Sequence, residues 1–155
     1  MAFKVQQEKA RRIAGFHLVG PWEQTVTQGF QQLLLWATAH ELEGEWLAVY
    51  YDDPDITPAE ELRCTTALSV SDDFVLPEGS EGMVMTEIAA GSYAVGLARI
   101  ENDAYFQAWE RLFDELEADS SLTLTGKPCF ERYLNDGTQT GVWDIEMYVP
   151  VATGG

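Results

Sequence analysis

Apolar and polar residues alternate along several stretches of the chain, and the clearest is GVWDIEMYVPV at 141–151. A strand places Trp143, Ile145, Met147, Val149 and Val151 on one face and Asp144, Glu146 and Tyr148 on the other. The first is a core face. The second carries a carboxylate beside a tyrosine. Similar runs predict strands at FKVQQ, RIAGFHLV, EWLAVYY, LRCTTALSV, MVMTEI, SYAVGLARI and PCFERYL. Two segments instead show helical spacing. Val26, Phe30, Leu33, Ala37 and His40 predict a buried stripe on a helix over 23–41, opened after Gly20-Pro21 and closed by Gly44. Phe106, Trp109, Leu112, Phe113 and Leu116 predict a second helix over 103–118, capped by Asn102 or Asp103.

These elements fall into two similar halves. EKARRIAGF (8–16) aligns with EIAAGSYAV (87–95), and QGFQQLL (28–34) with QAWERLF (107–113). YYDDP (50–54) aligns with YLNDG (133–137), and LRCTTALSV (62–70) with WDIEMYVPV (143–151). The pattern predicts a single domain over 1–155 built from repeats at 3–70 and 82–151, joined by a linker at 71–81. Each repeat reads as ββαββ, opening with a hairpin around Lys9-Ala10 in the first and Ala89–Gly91 in the second. The expected fold is α+β, with largely antiparallel sheets, two helices on one face and a central groove between pseudo-twofold halves. Equivalent positions pair Tyr50 with Tyr133 and Thr65 with Glu146. Glu131 shares a strand face with Tyr133, and Trp46 shares one with Tyr50. The repeat therefore predicts a cleft with aromatic walls and carboxylates on its floor.

Charge narrows the class of partner. The 155 residues include 26 acidic and 9 basic side chains, for a net charge of -17. Such a surface repels phosphates, so direct nucleic-acid binding is not expected. Competition for a basic surface on another protein is. Much of the acid lies in 101–119, whereas Lys4, Lys9, Arg11 and Arg12 crowd the start of the chain. No apolar run is long enough for a signal peptide or a membrane span, which predicts a cytoplasmic location. Cys64 and Cys129 sit in strands without metal-ligand spacing, and His17 and His40 belong to no motif, so all four are read as structural. Asp52, Asp53 and Asp55 lack the glycine and closing glutamate of a calcium loop. No cofactor and no metal are expected.

The strings IAGFHLVGPWEQTV (13–26), AVYYDDPDITPAEELRC (48–64), LPEGSEG (76–82) and KPCFERYLNDGTQTGVWDIEMYVPV (127–151) resemble the DNA gyrase inhibitor family (GyrI/SbmC), within the GyrI-like small-molecule-binding superfamily. The resemblance implies a bacterial cytoplasmic protein that binds DNA gyrase, reduces its supercoiling and protects against gyrase-directed toxins. It also implies a ligand groove, in which Glu146 takes the strand position that faces cationic, aromatic drugs in related sensors. On this basis Glu146, Tyr148, Tyr133, Glu131, Tyr50 and Trp46 are the candidate ligand-binding residues. Some relatives hydrolyse strained, cyclopropane-bearing toxins, and for that chemistry Glu146 and Tyr133 are the candidates. Catalysis is the less favoured reading, since no further acid–base group accompanies them. AFKVQQ opens the first strand directly, so no DNA-binding helix-turn-helix is expected ahead of the module.

Overall fold

The structure, a computed structural model, describes residues 3–102, 104–135, 137 and 140–153. In chain order it contains β1 (Phe3–Glu8), β2 (Arg11–Val19), α1 (Trp22–Ala39), β3 (Trp46–Tyr50), a 3-10 turn (Ala59–Glu61) and β4 (Arg63–Ser69). There follow β5 (Met83–Ile88), β6 (Gly91–Glu101), α2 (Tyr105–Glu117), β7 (Leu122–Leu124), β8 (Cys129–Tyr133) and β9 (Val142–Thr153). This is the α+β class with antiparallel pairing that the alternation predicts. No helix among the described residues is long and apolar enough to cross a membrane.

The strands sort into two compact units, Met1–Lys9 with Ala90–Gly155, and Ala10–Ala89. In the first, β6 pairs with β1 and β9, and β9 also pairs with β8 and the short β7. In the second, β2 pairs with β5 and β4, and β4 pairs with β3. Both opening hairpins are thereby corrected. β1 does not fold back on β2, nor β5 on β6. Each passes to the sheet assigned to the other half, with Phe3 opposite Gly96 and Met83 opposite Phe16. Turn chemistry accounts for this. A two-residue hairpin needs residues that accept positive φ, and Lys9-Ala10 and Ala89-Ala90 offer none of the usual Gly, Asn or Asp. The segment at 71–81, expected as the linker between the repeats, is held by side chains of β2 and α1. Arg12 donates from one guanidinium nitrogen to the carbonyls of Ser71, Asp72 and Phe74, and Trp36 Nε1 donates to Ser80 Oγ at 2.9 Å.

α1 buries Thr25, Gly29, Leu33, Trp36 and Ala37, a stripe rotated from the one predicted. Small residues are the reason. A Cβ on Gly29 would collide with the Thr66 hydroxyl and the Leu18 side chain, so the helix meets the sheet along its thinnest side. Val26 and Phe30 are left half-buried at the margin. Gly15 on β2 is equally confined, because a Cβ there would strike the Thr66 carbonyl and Ala67.

α2 packs Ala108, Leu112 and Leu116 against Ala94, Ala98, Ile100, Ile145, Met147, Val149 and Val151. The apolar face of β9 is thus the core face that its alternation predicts. Phe106, expected in that core, is instead 61% exposed. The α2 N-cap is Ala104, with no side-chain cap; Asn102 adopts positive φ, and Asp103, the other expected cap, lies outside the described residues.

Candidate functional site

The β8–β9 register decides which candidates can meet. Phe130 lies opposite Tyr148, Glu131 opposite Met147, Arg132 opposite Glu146, and Tyr133 opposite Ile145. Directly opposed residues share a sheet face. Glu131 and Tyr133 therefore lie on the face covered by α2, and Glu146 and Tyr148 on the face turned away from it. One groove lined by all four is ruled out, because the sheet itself separates them.

On the α2 side, Glu131 is 0% exposed. Trp109 Nε1 donates to its Oε2 at 2.9 Å, and the Tyr133 hydroxyl donates to its Oε1 at 3.2 Å. Further rings pack against these two donors. Tyr133 meets Trp143 edge-on with centroids 5.5 Å apart and Tyr105 at 6.5 Å, while Trp109 stacks on Phe113 at 6.0 Å. A carboxylate withdrawn from water is tolerable only with such donors. Ring faces beside a carboxyl group suit a cation.

On the opposite face, Glu146 Oε1 accepts from Arg132 Nε at 2.7 Å, Arg132 Nη2 at 2.6 Å and the Tyr148 hydroxyl at 3.0 Å. Its positive counterpart is thus supplied by its own sheet. Tyr148 stacks on Phe130 with centroids 4.3 Å apart and planes 9° apart, and Tyr93 meets both rings edge-on. Arg132, Trp109 and Tyr93 were missed as site residues. Cross-strand register would have found Arg132, but nothing in the local pattern marks Trp109 as the donor to Glu131.

In the other unit, Trp46 and Tyr50 lie on the face that carries α1. Trp46 packs on Phe30 at 6.3 Å and Tyr50 on Trp22 at 4.6 Å, so both have helix partners. The face away from α1 presents a polar group. Thr65 Oγ1 lies 3.0 Å from both His17 Nδ1 and the Tyr51 hydroxyl, and the His17 and Tyr51 rings meet edge-on at 5.5 Å. Beside it Asp52 accepts from Arg63 Nη2 at 2.9 Å, Arg63 Nε at 3.1 Å and the Arg63 backbone N–H at 2.8 Å. Those side-chain bonds to Arg63 hold the Asp52 carboxyl below the usual carboxylate range. Cys129 begins β8, and burial pushes its thiol up to about 12. The described residues hold no cluster of three or more His, Cys, Asp or Glu side chains suited to a metal ion.

Comparison with known proteins agrees with this architecture. A DNA gyrase inhibitor of Escherichia fergusonii is 55% identical over 152 residues, 97% of this chain and 98% of that protein. A DNA gyrase inhibitor of Salmonella typhimurium is 53% identical over the same shares. The solved structure of SAV2435 bound to tetraphenylphosphonium superposes with a TM-score of 0.69 at 16% identity, covering 98% of this chain and 94% of that one, a likeness of fold. Residues 1–152 match the description of a GyrI-like small molecule binding domain, and the chain belongs to that family.

Proposed function

We propose that this protein binds DNA gyrase, reduces its supercoiling and so protects the cell against toxins directed at that enzyme. The carrying observation is identity of 53–55% across nearly the full length of proteins named DNA gyrase inhibitor. Net charge supports the same reading. A chain at -17 is a poor ligand for DNA and a good one for the basic surface that DNA would otherwise occupy. Gyrase acts on the chromosome, so the site of action is the bacterial cytoplasm. Purified protein added to gyrase and relaxed plasmid should lower the yield of supercoiled product, more strongly when it precedes the DNA. Undiminished supercoiling at large molar excess, with no complex on a sizing column, would overturn the proposal.

A second reading rests on Glu131. The family is described as small-molecule binding, and one structural relative is described bound to tetraphenylphosphonium, a cation surrounded by aromatic rings. The buried carboxylate beside Trp109 and Tyr133 suits that chemistry better than Glu146, which already accepts from Arg132. Ligand capture then assigns Glu131 and Tyr133 to the binding site, and Tyr148, Trp46 and Tyr50 to packing. A thermal-shift titration with tetraphenylphosphonium should stabilise the wild type and Glu146→Gln but not Glu131→Gln. The reverse pattern would return the site to Glu146. Hydrolysis by a Glu146–Tyr133 pair is disfavoured, because the two lie on opposite faces of one sheet.

A further inference from the structure

α1 and α2 hold equivalent places in the two repeats, and their buried positions coincide: Gly29 with Ala108, Leu33 with Leu112 and Ala37 with Leu116. Their outer faces differ. On α2 the exposed positions include Glu110, Arg111, Asp114 and Glu117, whereas the equivalent exposed positions on α1 hold Gln31, Gln32, Leu35 and Thr38. The whole run Gln24–Ala39, sixteen residues, carries no charge in a chain that is 23% charged. Within it Leu34 is 53% and Leu35 74% exposed. We infer that this outer face of α1 is a contact surface for a second copy of the chain, the two helices packing antiparallel across a two-fold axis near Leu35.

The face is patterned for contact. Gln24, Gln28, Gln31, Leu35 and Thr38 follow one another at steps of four, three, four and three, so they form a single exposed stripe along the helix. At the same place in the other repeat, α2 carries the charged residues usual for a solvated face. Two adjacent exposed leucines leave apolar surface in water, since the sheet side of α1 is already filled by Leu33, Trp36 and Ala37. A partner laid over the stripe removes that surface from water. Interface centres are depleted of charged residues in the same way.

Charge selects the occupant. A basic partner is best met by acids, which the chain has in excess, 26 against 9 basic residues, and α1 offers none between Gln24 and Ala39. A second copy imposes the opposite requirement. Near a two-fold axis a side chain meets its own copy, so a carboxylate there would face a carboxylate. Copies of a chain at -17 therefore meet best across a surface without charge. Glutamine and threonine suit such a contact, because each both donates and accepts and can pair with its own kind. Antiparallel packing also sets the two helix dipoles in opposition. A helix pair by itself buries less than the roughly 800 Å² per partner of a standard interface, so the association is weak, with a dissociation constant on the order of 10–100 µM.

The test is sedimentation equilibrium of the full chain over a range of about 5 to 500 µM, spanning that dissociation constant. The mass should rise from that of the monomer toward twice that value. Added salt should shift the rise to lower protein concentration, because screening removes the repulsion between copies, whereas an acid-to-base contact would weaken. Leu35→Glu exchanges two good helix formers at an exposed position, so it should leave the melting temperature of the dilute protein in place. It should raise the dissociation constant at least about tenfold. Leu35→Cys should give a disulfide-linked dimer under mild oxidation, and Asp114→Cys, at the equivalent position on α2, should not. A wild type that stays monomeric, association unaltered in Leu35→Glu, or equal cross-linking through both cysteines would overturn the inference. A monomer that loses its effect on gyrase in Leu35→Glu would also overturn it, and would give this face to gyrase.

Discussion

Trp109→Phe isolates the bond that makes the buried Glu131 tolerable. Glu131 is fully enclosed, and the indole N–H donates to it at 2.9 Å. Replacing indole by phenyl removes that donor and leaves the carboxylate in place. A bond to a charged acceptor is worth about 1.5–3 kcal/mol, and the smaller ring gives up roughly a further 0.5 kcal/mol of burial. The expected loss is therefore about 2–3 kcal/mol, which moves a urea midpoint by about 1 M for a protein of this size. Glu131→Gln should change stability by less than about 1 kcal/mol, since the amide oxygen accepts from Trp109 and its NH2 donates to the Tyr133 oxygen. In that background the bond to Trp109 is neutral, so Trp109→Phe should cost about 1 kcal/mol less than in the wild type. Urea melts of the four proteins, followed by far-UV circular dichroism, give the cycle directly. A loss below about 0.5 kcal/mol for Trp109→Phe, or equal losses in both backgrounds, would refute the assignment of Trp109 as a working donor to Glu131.

Thr66→Val should stabilise the protein by about 1 kcal/mol, because the buried Thr66 hydroxyl has no hydrogen-bond partner among the described residues; a lower melting temperature would contradict this. Asp52, held below its ordinary range chiefly by its side-chain bonds to Arg63, contributes stability that is present above about pH 4 and lost as pH falls through the lowered folded value. Asp52→Asn should accordingly flatten the acid limb of the melting temperature between neutral pH and about pH 3, and an unchanged limb would count against that role. Cys129, with its thiol pushed up to about 12 by burial, should alkylate with iodoacetamide far more slowly in the folded protein than in urea. Equal rates would show the thiol to be open.

The alternation in 141–151 was sufficient to identify β9 and its core face, because side chains on a strand point to opposite sides with a period of two and one apolar side must be buried. Spacing likewise located both helices to within a few residues, and the charge imbalance follows from composition alone. Which strand pairs with which was not determined locally. The links at 9–10 and 89–90 disfavour hairpins, but only the tertiary structure selects β6 and β2 as the partners of β1 and β5. The helix stripes shifted for a similar reason: residue size at Gly29 and Thr25 sets how closely α1 approaches its sheet, a matter of mutual packing. The candidate residues of β8 and β9 do not share one sheet face. Glu131 and Glu146 are separated by a sheet, one held by Trp109 from a helix and the other by Arg132 from the adjacent strand. Both partners are brought in by long-range register and helix docking, which a single strand's pattern does not encode.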